Sequence, residues 1–453
     1  MGWMMRDANC SRYRLMLTLM STKTLTVLVV WNGIFATEAI GAESRLPPCP
    51  VYYSEAWTQC YGILPTAEGE TYSGEWKDGK RDGLGVLVFR TGAKYAGTFK
   101  QGQASGEGTY TFRNGDVYVG QVVKGVVQGY GILTATNGDK YSGDFVDFKM
   151  NGRGVLLTTK GERYSGEFVN DQRQGQGSVD APDGSKYLGF FRASSFHGQG
   201  VHIFKDGSQY SGEFSGGLRQ GKGNLVLPNG DRYTGEFRNG LYEGLGSYST
   251  VDGTTYVGSF KNGKKFGNGN MHFANVKRTP PVIYASSALV RSPINLGEII
   301  KYEGAFIEDH MSGQGIALLS NGANYNGSFE NDQFNGSGKI TYQDGTTVVG
   351  TFAKHSIIGE CAVTFSDKIR YVGETKGGKL DGFAKIFLPN GDVYEGEVLA
   401  GEASGKGTMK FGAGGRYTGE FKKGVFDGRG TMYDAADKPA KQAYWSNGKL
   451  TTP

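Results

Sequence analysis

Neither sign of charge dominates this sequence. Its formal net charge is +5, and residues 1–42 account for part of that with four basic and two acidic groups. The remainder carries 45 basic and 42 acidic side chains, a net of +3. Such balance excludes a long-range pull toward nucleic acid or anionic lipid and leaves only a local basic stripe open. Cysteine is scarce, with four in 453 residues. Long apolar runs are absent: "LTVLVVWNGIFA" at Leu25–Ala36 stops before Glu38 and is too short to span a bilayer. Glycine, by contrast, is abundant at 75 residues, and it is periodic without falling at every third position. That excludes both collagen and a flexible linker. Aromatic residues at 13% exclude a disordered chain.

The first 42 residues differ from everything after them. Arg6, Arg12, Arg14 and Lys23 precede the apolar stretch, and small residues follow at Ala39, Gly41 and Ala42. This layout predicts a secretory signal peptide cleaved near Ala39 or Ala42, with Met20 as an alternative start. "LPPC" at Leu46–Cys49 matches a lipoprotein acylation site only loosely, because prolines fill the small-residue positions. Export gives the cysteines an oxidising context. Cys10 leaves with the leader. Cys49 and Cys60, eleven apart, predict a structural disulfide; two free thiols or a redox pair are the alternatives.

The segment "YSGEWKDGKRDGLG" at Tyr72–Gly85 returns every 23 residues, at Tyr95, Tyr118, Tyr141, Tyr164, Tyr187, Tyr210, Tyr233 and Tyr256. It resumes at Tyr302 and continues through Tyr325, Val348, Tyr371, Tyr394 and Tyr417. Numbered from the tyrosine, positions 3 and 12 are glycine in all fifteen units. Position 14 is glycine except at Cys361 and Ala384, so Cys361 reads as a small filler. Position 5 is Trp76 and then mostly phenylalanine, with Val122, Thr375 and Val398 as departures. Positions 16 and 18 are mainly apolar.

Alternation of period two predicts strands. Positions 1, 3 and 5 share one face of a first strand, and positions 12, 14, 16 and 18 one face of a second. Glycine weakens a strand unless something must approach closely. Here the rings at positions 1 and 5 need a floor without side chains, so the glycines are packing surfaces. Pairs such as Asn137-Gly138 and Asp183-Gly184 join the units, and Asp78-Gly79 or Asn239-Gly240 turn within them. Both kinds predict tight hairpins whose two central residues take positive φ. The expected fold is all-β, an elongated single-layer antiparallel meander, twisted or curled, with no helix beyond the leader.

Tyr-x-Gly-x-Phe/Trp followed by Gly-x-Gly closely resembles the MORN repeat (membrane occupation and recognition nexus), here of a bacterial exported type. The resemblance runs from Tyr72 to about Thr431. It implies a cap at 43–71, nine repeats over 72–278, a degenerate repeat at 279–301, six repeats over 302–439 and a tail at 440–453. The segment at 279–301 is expected to act as a bulge, lid or hinge. Similar arrays act as scaffolds, dimerise or sit beside membranes, and some are appended to lipid kinases or methyltransferases. No such catalytic domain fits in the residues left over.

Other motifs carry little chemistry. "GGLRQGK" at Gly216–Lys222 resembles a phosphate-binding loop without its Ser/Thr or its helix. His197, His202, His272, His310 and His355 are scattered over different repeat positions. Carboxylates recur at position 4, as at Glu75, Glu167, Glu213, Glu236 and Glu420, and read as a solvated ladder. These features predict no catalytic residue, no cofactor, no metal and no nucleic acid partner. The expected function is a non-enzymatic scaffold with an unidentified protein partner or a second copy of itself. The alternative is a phospholipid- or glycan-binding surface using aromatics and the lysines Lys261, Lys264 and Lys265. Its expected location is periplasmic or secreted, beside the envelope.

Overall fold

A computed structural model describes residues 44–52, 56–66, 68–280 and 294–451. The leader expected at residues 1–42 and Cys10 lie outside them. The chain forms two compact units, one up to Val126 and one from Val127. Among the described residues every regular element is a β-strand.

Each repeat is a hairpin, typically of a seven-residue and a nine-residue strand, for example Lys140–Val146 and Lys149–Leu157; the repeat at Tyr302 is longer, with Ile299–Ile307 and His310–Leu319. Within each compact unit, successive strands pair antiparallel in chain order, so the predicted meander is what forms. The first unit holds Cys60–Pro65, Thr71–Lys77, Lys80–Val88, Lys94–Lys100, Gln103–Thr111 and Val117–Val123. The second continues from Val126–Thr134 to Lys449–Thr451.

The strand Lys264–His272 pairs directly with Ile299–Ile307, Gly269 facing Gly304 as in any other junction. The sheet therefore passes straight from the nine-repeat block to the six-repeat block. Residues 294–298 instead lie across the following loops. The backbone of Asn295 accepts from Asn321 Nδ2 at 3.1 Å and from the Tyr342 hydroxyl at 2.9 Å.

The two kinds of turn differ, which corrects the expectation that both are alike. Inside each repeat a two-residue turn places both central residues at positive φ, as at Asn239 (50°) and Gly240 (82°). Even Asp147-Phe148 and Ala193-Ser194 adopt this shape. Between repeats only the glycine of the Asn-Gly pair is left-handed, as at Gly138 (90°), and Asn137 is not. There Ala135 and Asp139 close a longer loop, Ala135 N–H donating to the Asp139 carbonyl at 2.9 Å. The five-residue loop needs one left-handed residue, whereas the two-residue turn needs two.

Register explains the three glycines. Gly143 faces Gly154 across the hairpin, and Gly154 faces Gly166 of the next repeat. After Gly143 the pairing jumps, so that Phe145 faces Met150 and two residues bulge out. Positions 3 and 14 are flat floor. A Cβ on Gly154 would lie 2.4 Å from the Tyr141 ring. Position 12 is the bulge itself: Gly152 has φ +75°, and a Cβ there would meet the Asp144 carboxylate at 2.8 Å instead of a ring. The reading that all three glycines serve as packing surface is therefore corrected for position 12.

The aromatic core runs along one face. Tyr141 meets Phe145 edge-on at 5.1 Å and Phe168 of the next repeat at 5.0 Å, and Tyr164 then meets Phe168 and Phe191 at 5.0 Å. Edge-to-face contacts of this kind contribute about 0.5–1.5 kcal/mol each beyond area burial. All fourteen repeat tyrosines donate their hydroxyl to the carbonyl three residues on, as Tyr141 does to Asp144 at 3.1 Å. That bond satisfies the one polar atom of each buried ring.

Candidate interaction surface

The tyrosine face is closed by the chain itself. Position 10 supplies a lid that the sequence reading did not single out. Phe196 stacks on Tyr187 at 3.7 Å, Tyr242 on Tyr233 at 3.9 Å and Phe334 on Tyr325 at 4.0 Å. In other repeats a cation takes that place, with Arg173 4.9 Å from the Tyr164 ring and Arg81 5.4 Å from the Tyr72 ring. Elsewhere position 10 is aliphatic, as at Val127, Met150 and Leu380, so no single residue type marked it in the sequence. The tyrosines end up buried, Tyr141 being 1% exposed. Burial pushes the phenols of Tyr164, Tyr187 and Tyr210 up to about 12.

The opposite face is open. Its floor is the glycine pairs and its walls are positions 2, 13 and 15. One stretch forms a trough of about 540 Å³, floored by Gly143, Gly154, Gly166 and Gly177 and walled by residues such as Tyr130, Gln176 and Leu188. Between Tyr130 and Asn270 these three positions carry only two charged side chains, Arg153 and Lys222. Apolar groups stand out in water there, Leu188 at 65% and Leu245 at 68% exposure. From Glu303 onward the same positions hold Lys339, Glu360, Lys385, Glu395, Lys406 and Arg429. One scaffold thus presents a sparsely charged stretch followed by a more highly charged one. Alternation placed these side chains on the face away from the tyrosines, but nothing in the pattern marked them as the open surface.

Several position-4 carboxylates, though open to solvent, also accept backbone hydrogen bonds. Asp144 accepts from the Arg153 N–H at 3.1 Å, Glu75 from Leu84 at 3.1 Å and Glu420 from Arg429 at 3.1 Å. Each satisfies an amide released by the position-12 bulge. Of the lysines proposed for ligand binding, Lys264 pairs with Glu308 at 3.3 Å. Lys265 lies over the Tyr256 ring at 5.6 Å and Lys261 over Phe266 at 5.0 Å. Internal contacts therefore engage all three. Gly216-Gly217 is an ordinary hairpin turn at positive φ, and the Lys222 amide donates to Glu213. The histidines stay dispersed: His202 stacks by Phe204 at 3.9 Å, His310 bonds Asp332 at 2.6 Å and His355 meets Phe334 at 4.7 Å. Among the described residues no group of three His, Cys, Asp or Glu side chains is placed to hold a metal.

Both ends of the sheet are finished by covalent or aromatic contacts. Cys49 is bonded to Cys60, and Cys49 N–H donates to the Tyr61 carbonyl at 2.8 Å, so a short strap lies along the outer edge of the first strand. Covering an edge in this way blocks further strand addition. At the other end Trp445 takes the position-5 place, 5.6 Å from Tyr417. Cys361 is buried where Val348 replaces the tyrosine, so no ring claims that floor.

The MORN-repeat family model matches residues 72–94, 95–117, 118–140, 141–163, 164–186, 187–209, 210–232, 233–255, 256–275, 302–323, 325–347, 394–416 and 417–435. These segments make up well over half of the chain. The two units left out, from Val348 and Tyr371, contain the Cys361, Thr375 and Ala384 departures, yet their strands pair in the same way. No curated protein matches the chain. Among solved structures, the TCP10 domain of Danio rerio CPAP in complex with a STIL peptide is 11% identical. The match covers 64% of this chain and 98% of that one at a TM-score of 0.19. The SAS-4 TCP domain of Drosophila melanogaster with a proline-rich motif of Ana2 is 14% identical, covering 38% and 81% at 0.18. A virginiamycin B lyase from Staphylococcus aureus with quinupristin is 12% identical, covering 69% and 93% at 0.11. Scores this low carry nothing over to the present chain.

Proposed function

We propose that this chain, which belongs to the MORN-repeat family, is a non-enzymatic scaffold that docks partner proteins on its open face. One observation carries the reading: the tyrosine face is consumed by internal packing, while the glycine-floored face exposes apolar side chains along successive repeats. Surfaces of that kind mark interaction sites on soluble proteins. A shallow, repetitive floor suits an elongated partner better than a small substrate, which binds in a deep cleft with a few convergent polar groups.

The scaffold is proposed to work outside the cytoplasm. The leader-like residues 1–42 and the Cys49–Cys60 bond support that location, since disulfides persist in oxidising compartments. The alternative of a phospholipid or glycan surface is weakened by the internal contacts of Lys261, Lys264 and Lys265.

The test places photocrosslinking residues at Leu188 and Leu245 in the native host, with Lys160 on a loop as control. The expected result is a discrete protein adduct from the two face positions, abolished by Leu188→Glu with Leu245→Glu. Equal adducts from all three positions would overturn the docking face, and robust turnover in a broad hydrolase screen would overturn the non-enzymatic assignment.

A further inference from the structure

The charged end of the open face has a feature the sparsely charged stretch lacks. A trough of about 720 Å³ spans three successive repeats, floored by Gly396, Gly407 and Gly419. Four cations line it, Lys406, Lys410, Arg416 and Arg429, against two carboxylates. Both carboxylates are already engaged. Glu395 pairs with Lys385 at 3.2 Å, and Glu420 accepts the Arg429 backbone N–H at 3.1 Å. Arg416 is held by Asp437 at 2.8 Å and lies 3.6 Å from the Tyr433 ring. Lys406, Lys410 and the Arg429 guanidinium have no carboxylate partner among the described residues. Four cations against two carboxylates leave an excess of positive charge in one concave strip, which favours an anionic occupant.

Geometry narrows the class. Phe383, Lys406 and Arg429 hold position 13 in consecutive repeats, two strands apart, hence about 9.6 Å apart at the usual strand spacing. A segment in the polyproline II conformation rises about 3.1 Å per residue with three residues per turn, so three residues cover about 9.3 Å and return to the same face. Side chains at i, i+3 and i+6 of such a segment therefore fall opposite these three residues. A bilayer surface is flat on this scale and would rest on the trough walls, away from a floor lined with bare backbone.

Building on the docking face proposed above, we propose that this end binds an acidic segment of a partner protein in the polyproline II conformation. An apolar side chain sits on Phe383, and carboxylates three and six residues further along meet Lys406 and Arg429. Lys410 supplies additional positive potential along the wall.

The experiment uses the full chain and fluorescence anisotropy with a labelled synthetic peptide carrying one leucine and two glutamates at three-residue spacing. The expected result is saturable binding that weakens with salt, because rim charges are screened. Lys406→Glu with Arg429→Glu should weaken it by about tenfold or more, the scale of two lost charge pairs. A peptide of the same composition with glutamates two residues apart should bind more weakly. Both substituted side chains are exposed, and an unchanged thermal unfolding curve checks that the variant folds. Indifference to spacing, indifference to the double substitution, or retention on phosphatidylglycerol vesicles without peptide binding each overturns the proposal. Failure here with persisting adducts at Leu188 and Leu245 leaves the scaffold reading intact. Loss of those adducts removes both.

Discussion

The ring of Tyr141 lies so close over Gly154 that a Cβ on that glycine would sit 2.4 Å from both its hydroxyl and its Cε2. Repeated along the array, this contact makes the sheet a stack in which nearly every repeat tyrosine lies on bare backbone, Tyr371 with Ala384 in that slot being the exception.

Gly154→Ala should therefore be costly, by about 1–3 kcal/mol for overpacking a filled site. Gly184 offers the control, since a Cβ there meets nothing within 4 Å and only its φ of +90° resists substitution. Gly184→Ala should cost about 1 kcal/mol from left-handed strain. Urea unfolding of both variants checks the order, and an equal or smaller loss at Gly154 would contradict the packing account.

Alkaline pH should unfold the array through its tyrosines. Burial raises the phenols of Tyr164, Tyr187, Tyr210 and Tyr256 to about 12, against 10.0 for a free side chain. The folded state thus binds the proton more tightly than the unfolded state. The stability linked to each phenol is complete below pH 10 and is lost as pH rises toward 12, at roughly 1.4 kcal/mol per pH unit per tyrosine. Tyrosinate absorbance and circular dichroism should change together in that window. Ionisation near pH 10 with secondary structure intact would contradict the burial of the hydroxyls.

Asp144→Ala should free the Arg153 amide at the bulge, which now donates to Asp144 at 3.1 Å. The expected loss is about 1 kcal/mol, local to that repeat. Hydrogen exchange at Arg153 should speed up, and Asp144→Asn, which keeps an acceptor, should largely restore protection. Unaltered exchange in the alanine variant would mean the carboxylate is only solvated.

Cys60→Ser should loosen the N-terminal end alone. The bond closes a span of eleven residues and holds the strap on the outer strand. Loops of this size stabilise by a few kcal/mol, about 3 by chain entropy. Exchange should increase from Tyr61 to about Trp76, while repeats after Val127 stay protected, because each repeat leans only on its neighbours. Even loosening throughout the chain would contradict that locality.

Much of this was legible from spacing. The 23-residue period, the strand alternation and the glycine floor under Tyr72 or Tyr141 all follow from which residues recur at which interval. Other features were hidden for a definite reason. A bulge of two residues preserves alternation, so Gly152 looks like Gly154 in the sequence although one is a left-handed bulge residue and the other flat floor. The carboxylate of Asp144 then looks like a surface charge, because its acceptor role depends on an amide that only the bulge exposes. Asn-Gly pairs were recognised as turns, but whether one or both residues are left-handed depends on loop length, which strand register decides. The lids at Phe196, Tyr242 and Arg173 share flatness and position without sharing a residue type.

By itself, the sequence determined that this protein is a repeated β-hairpin array, because period and face are local properties of the chain. Only the tertiary structure decided which face remains free to meet a partner. That choice depends on whether rings from successive repeats, with position-10 side chains over them, close the tyrosine side, and such closure is a contact between neighbouring repeats that no single unit displays.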